Sequence, residues 1–154
     1  MISLKTFEKR KITLNLNENR LVLEPQESFD KTIKGKHLVE SRFANGSNGS
    51  ELNIFIGISR NDKIWWFLFD TGNIAAAKIS ESTALERGMP KVKPELREKE
   101  KLEFMLNGEQ ISTPTIIDNI IYDGALSFDF IRQSEYTISF EDKAVWMGLI
   151  NSKN

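Results

Sequence analysis

Apolar and polar residues alternate with a period of two along much of this chain, in short runs broken by turn-forming residues. Ile12, Leu14 and Leu16 alternate with polar neighbours, and Leu21-Val22-Leu23 follows the polar tetrad Asn17-Glu18-Asn19-Arg20. This pattern predicts a hairpin over 11–24. Pro25 closes it, because proline has no N–H to give to a ladder. A mixed stretch from Phe29 to Phe43 leads into Asn45-Gly46-Ser47-Asn48-Gly49-Ser50, which has the composition of a flexible turn or linker. The chain thereby divides into an amino-terminal hairpin with its connecting segment (1–45) and a domain over 51–150.

The strand signal resumes at Leu52, where Leu52, Ile54 and Ile56 alternate with Asn53 and Phe55 up to a polar turn at 59–63. The apolar run Ile64-Trp65-Trp66-Phe67-Leu68-Phe69 suits a buried strand and ends at Asp70-Thr71-Gly72-Asn73. Residues 74–79 are small and apolar and predict another strand. Ser80 to Arg87 reads as the one short helix, with capping-box spacing between Thr83 and Glu86 and a stop at Gly88. The charged stretch 91–101 reads as a solvated loop or strand edge. Leu102, Phe104 and Leu106 alternate ahead of Asn107-Gly108, a type I′ hairpin signal, with Ile111 beginning the return. Gly124 to Ile131 forms a compact apolar segment, and 136–140 pairs with 144–147 in a last hairpin. Many short strands with one short helix predict a mostly β domain, closed or sandwich-like.

Composition narrows the chemistry more than the fold. The formal charge is −1, from 21 Lys+Arg against 22 Asp+Glu, so there is no electrostatic footprint for nucleic acid. With no cysteine, disulfides, thiolate metal sites and cysteine nucleophiles are excluded together. His37 is the only histidine, and its neighbours Lys34-Gly35-Lys36 provide no nucleophile motif, which argues against a Ser-His-Asp triad or a two-histidine zinc site. No metal or other cofactor is expected. No apolar run reaches the ~18 residues of a membrane span, and residues 1–11 lack the apolar core of a signal peptide. A soluble protein is expected, with cytoplasmic and exported locations both open. Carboxylate chemistry is what remains.

Asp70-Thr71-Gly72 carries that chemistry by its placement directly after an apolar strand. Glycine lets a tight loop bend without a Cβ in the way, and the threonine hydroxyl can fix it by a hydrogen bond. Two aspartates held a few Å apart on such loops cannot both ionise, so they share one proton. One then acts as base on a water while the other polarises a peptide carbonyl.

In this context the sequence resembles the retropepsin-like aspartic protease family, bacterial type. There a strand, an Asp-Thr/Ser-Gly loop, a small-residue strand and a short helix follow in order, as in 66–72 and 79–88 here. Asp123-Gly124-Ala125-Leu126-Ser127-Phe128-Asp129-Phe130 is similar to the family's Asp-Gly-Ile-Leu-Gly-x-Asp-Phe segment, and 136–147 to its terminal hairpin. The resemblance covers residues 52–147. It implies a retropepsin-like acid protease barrel, catalysis by Asp70 with Thr71 and Gly72, a substrate-binding segment Asn73-Ile74-Ala75, and a peptide or protein substrate. Ser127 and Asn73 stand where the family has Gly and a small residue, and the substrate-covering flap is not evident at 91–92 or 102–111. Only one Asp-Thr/Ser-Gly is present, so the resemblance implies either a homodimer or a second lobe supplying the other aspartate. Residues 6–24 resemble the terminal hairpin of such a lobe and also fit an ordinary edge hairpin.

Two other function classes stay open: a catalytically silent peptide- or partner-binding domain of the same fold, and a glycan- or envelope-binding sandwich suggested by Trp65 and Trp66. These tryptophans point to opposite faces of a strand, one core and one partly exposed. Asp118, Asp123 and Asp129 lack calcium-loop spacing and read as turn residues.

Overall fold

The predicted hairpin over 11–24 forms as β1 (Lys11–Asn15) and β2 (Arg20–Leu23), paired antiparallel with Ile12 opposite Leu23 and Leu14 opposite Leu21. It is seen in a computed structural model that describes residues 4–46, 49–60, 62–89, 100–106 and 109–150. The chain folds as two compact units, one of Met1–Ile56 with Ile131–Asn154 and one of Gly57–Phe130.

The first unit is made from both ends of the chain. Its sheet runs β2-β1-β11-β12-β3, where β3 is His37–Val39, β11 is Ser134–Ser139 and β12 is Ala144–Leu149. All four pairings are antiparallel. Ile12, Leu14, Tyr136, Ile138, Val145 and Met147 bury one face. On the other face Thr13 and Thr137 sit directly opposite each other with hydroxyls 3.0 Å apart, and Lys36 Nζ donates to Thr137 Oγ1 at 2.6 Å. Lys36 also pairs with Glu135 at 2.7 Å, and Arg20 reaches the same carboxylate at 2.8 Å. After Pro25 the chain forms α1 (Gln26–Thr32), whose buried Phe29 packs edge-on against Trp146 with ring centroids 5.2 Å apart. A second hairpin pairs β4 (Ser41–Asn45) with Leu52–Ile56, the first half of β5 (Leu52–Arg60).

In the second unit the strands run β6-β10-β7-β9-β8: β6 is Lys63–Phe69, β7 Ala77–Ser80, β8 Glu100–Leu106, β9 Glu109–Asp118 and β10 Gly124–Leu126. β10 enters last and lies between two earlier strands, parallel to β6 and antiparallel to β7. All three of its residues are buried, as a strand covered on both faces requires. Gly124 makes the insertion possible. A Cβ there would lie 2.2 Å from the Phe67 ring and 2.7 Å from the Lys78 carbonyl oxygen.

The fold is mostly β, with two sheets that are not closed into the barrel the resemblance implies. Among the described residues there are three α-helices where one is expected: α1, α2 (Glu81–Glu86) and α3 (Phe128–Ile131). α1 was hidden because its seven residues bury a single apolar side chain, Phe29, leaving no stripe to read. The single turn of α3 was hidden inside an apolar run. α2 is the helix expected, although its cap is Ser80, whose Oγ accepts the Thr83 N–H at 3.1 Å, and not Thr83 itself. β3 and β4 fall in the stretch that carried no readable period. The Asn107-Gly108 turn and residues 91–92 lie outside the described residues.

Gly124→Ala is expected to lower unfolding free energy by about 3 kcal/mol, near the upper end of overpacking costs, because a backbone carbonyl cannot yield as a side chain can; chemical denaturation measures it. Glu135 supplies a pH signature. Partial burial works to raise its pKa, but Lys36, Asn15 and Arg20 outweigh that and hold it below the usual 4.5. Its contribution to stability is therefore present above pH 4.5 and is lost as pH falls through the lowered value. Glu135→Gln is expected to flatten the acid limb of a stability-against-pH curve.

Candidate functional site

Burial along β6 alternates, with Trp65, Phe67 and Phe69 inside and Trp66 half-buried, so the strand delivers Asp70 to the edge of its own core. The chain then turns. Asn73 N–H donates to the Asp70 carbonyl at 3.2 Å and Gly72 N–H to the Asp70 carboxylate Oδ1 at 3.0 Å. A Cβ on residue 72 would lie 3.3 Å from that oxygen, tighter than an ordinary contact, which gives the glycine a local reason. Asp70 is half-buried while Thr71 and Gly72 are exposed.

Asn73 adds hydrogen bonds and does not crowd the turn. Its Nδ2 donates to the Ala76 carbonyl at 3.1 Å and its Oδ1 accepts the Ala75 N–H at 3.3 Å. Its own carbonyl accepts the Phe128 N–H at 2.8 Å, tying the acidic loop to the residue that follows β10. Ile74 is 84% exposed and Ala75 is exposed, so the segment 73–75 presents an open, partly apolar rim. The strand expected over 74–79 begins only at Ala77.

Ser127 is fully buried, and its Oγ accepts the Phe130 N–H at 3.3 Å, capping α3. The site therefore takes a serine where a glycine is usual in the resembling family, and the side chain finds a use. Asp123 is more than a turn residue. Its Oδ2 accepts the Trp66 N–H at 2.7 Å, its Oδ1 accepts the Thr83 hydroxyl at 3.4 Å, and its carbonyl accepts the Ser80 N–H at 3.0 Å. One residue thus joins β6, the end of β7 and α2 at the point where β10 enters. An acidic residue directly ahead of a strand glycine was the available signal for this role.

Lys78, on β7, pairs with Asp118 at 2.8 Å. That hydrogen bond, opposed by partial desolvation, holds the Lys78 pKa above its usual 10.5, and the negative charge of Asp70 acts in the same direction. Sequence reasoning missed Lys78, because only the strand order shows that β7 lies within electrostatic reach of Asp70. Trp65 is buried, its indole N–H donating to Glu86 at 3.0 Å with Arg87 over its ring at 4.9 Å. These contacts give it a packing role.

His37 lies in β3 opposite Met147. Among the described residues no group of three or more His, Asp or Glu is placed to hold a metal ion, and no helix is long and apolar enough to cross a membrane. A groove of about 480 Å³ in the first unit is lined by Glu8, Lys9, Phe43, Asn45, Phe140 and Lys143 among others, and includes no residue of the Asp70 loop. Its lining mixes acidic, basic and aromatic side chains. No family model matches the chain, and neither the curated proteins nor the solved structures contain a match.

Asp123→Ala removes a carboxylate that accepts from a strand N–H and a buried hydroxyl, leaving both donors to find water. A loss of about 1–3 kcal/mol is expected in chemical denaturation.

Proposed function

We propose that this chain is an aspartic endopeptidase domain of the retropepsin-like type, active when Asp70 is opposed by a second aspartate. The observation that carries the reading is the supported acidic turn. Asp70 directly follows β6, whose alternate residues are buried, its carboxylate accepts the Gly72 N–H, and the turn is tied through Asn73 to Phe128 at the start of α3. Such a turn pre-positions a carboxylate, as acid–base catalysis requires.

In the reaction, the ionised carboxylate of the pair takes a proton from the bound water, whose oxygen attacks the peptide carbonyl carbon. The protonated carboxyl donates its hydrogen bond to the carbonyl oxygen as negative charge develops there. The tetrahedral intermediate collapses as a proton passes to the amide nitrogen, the C–N bond breaks, and the pair returns to one shared proton. Thr71 and Gly72 shape the turn, and Asn73, Ile74 and Ala75 form the rim along which a peptide would lie. Substrate sequence is left to the exposed rim, where Ile74 favours an apolar neighbour.

A second reading, a peptide- or partner-binding domain without hydrolysis, is favoured by one feature. Lys78, hydrogen-bonded to Asp118, feels the negative charge of Asp70, so a cation already stands near the acidic turn where a peptidase needs a second acid.

In an assembly that holds two acidic loops, Asp70→Asn is expected to reduce cleavage of a mixed peptide library by about 10²–10⁴-fold. A pepstatin-type inhibitor is expected to block the wild type. Cleavage unchanged by the substitution discards the peptidase reading. Paired loops that cut nothing from acid to neutral pH favour the binding domain.

A further inference from the structure

The first unit contains an internal repeat that its sequence barely shows. A 3-10 turn at Leu4–Phe7 precedes β1 and β2, and α3 at Phe128–Ile131 precedes β11 and β12. A shift of 124 positions, the separation of Thr13 from Thr137, carries one module onto the other. The correspondence extends to details. Asn19 and Lys143 both hold φ at 51° in the hairpin turns. Asn15 Oδ1 accepts the Glu18 N–H at 3.1 Å, and its counterpart Ser139 Oγ accepts the Asp142 N–H at 3.2 Å. β1 and β11 pair antiparallel, with Thr13 opposite Thr137 and Ile12 and Leu14 opposite Ile138 and Tyr136. The two modules are therefore related by a local two-fold axis through the Thr13–Thr137 pair.

Two consequences follow. First, β11 is hydrogen-bonded on both sides, by β12 and by β1. A second copy of the chain cannot add its own β11 there, because this chain's β1 already fills that edge in the orientation an isologous partner would take. Second, the two halves are unequally covered. Val145 and Met147 are 1% and 4% exposed, whereas their counterparts Leu21 and Leu23 are 44% and 55% exposed on the same face. The module at 128–147 follows directly on Ala125-Leu126-Ser127, and the same shift sets Ile2-Ser3 against Leu126-Ser127 in the sequence.

We propose that Leu4–Leu23 is the closing module of a second lobe folded like Gly57–Phe130 and joined ahead of Leu4, that this lobe covers Leu21 and Leu23, and that it supplies the second carboxylate in place of a second copy of the chain. Its catalytic part rests on the peptidase reading; the coverage rests on the exposed Leu21 and Leu23, and the exclusion of a dimer built on β11 rests on the sheet alone.

The chain has no cysteine, which makes cross-linking clean. Oxidised Thr13→Cys/Thr137→Cys is expected to close a disulfide within one chain, and Thr137→Cys alone is expected to stay monomeric; a disulfide-linked dimer of the single variant overturns the proposal. Sedimentation of the unmodified chain from micromolar to near-millimolar concentration is expected to show a monomer, and decides the same point should the cysteine variants fail to fold. A dimer that Leu21→Lys/Leu23→Lys dissociates would instead make a second copy the occupant. In the monomer that double variant is expected to keep its melting temperature and lose binding of an apolar dye, while Val145→Lys unfolds. A second copy of residues 57–127 fused directly ahead of Leu4 is expected to lower dye binding to the level of the double variant and to bring peptide cleavage that needs both acidic loops. Unchanged dye binding overturns the proposal. Lowered dye binding without cleavage upholds the lobe and counts against the peptidase reading.

Discussion

The second unit depends on one steric fact: there is no room beside Phe67 for a side chain at position 124. β10 arrives after all the other strands of its unit and must enter between β6 and β7, which are already adjacent in sequence. The strand can slide in only where its backbone lies flat against an aromatic ring on one side and a carbonyl on the other. Once seated, it is the element that β6 and β7 share, and the loop joining those two strands, which contains Asp70, is braced from its far end by the Phe128 N–H to Asn73 bond. Asp123 completes the brace by satisfying the Trp66 N–H and the Thr83 hydroxyl at the point of entry. The acidic turn is therefore shaped by its own hydrogen bonds and held in place by a residue some fifty positions later.

The first unit applies a different economy. Its two hairpin modules share almost no residue beyond the threonine pair on the axis, yet fold alike. What the hairpin needs is sparse: alternation over four or five residues, an acceptor side chain at the strand end, and a turn position that tolerates φ near +51°. Asn and Ser serve equally as the acceptor, and Asn and Lys both occupy the left-handed position. The constraint falls on type and spacing. Identity is free to drift, and a two-fold sheet can persist while the sequences that build it diverge.

This explains what could be read from the sequence and what could not. Period-two patterns marked the two hairpin modules, because burial of one face forces alternation, while the continuous apolar run 64–69 marked the β6 strand and put Asp70 at its end. The α2 helix was legible from Gly88 and its polar start. α1 and α3 were not, since helices of four to seven residues that bury one or two side chains leave no periodic stripe. Strand order was the larger gap. Nothing local in Gly124-Ala125-Leu126 says that it lies between two earlier strands, so the roles of Asp123 and Lys78, which depend on that order, stayed hidden as well. Ser127 and Asn73 read as misfits by comparison with a pattern, whereas each makes a hydrogen bond that the local geometry requires.

Under the proposed peptidase reading, a single acidic loop is half of a site. In that reading one carboxylate is not enough, because the reaction needs one group to take a proton and another to give it. A second carboxylate changes this, because two acids forced together share a proton and hold it in readiness. The sheet of the first unit bears on the partner by its own edges: β1 already pairs with β11, with Thr13 and Thr137 on the axis, so a second copy finds that edge filled.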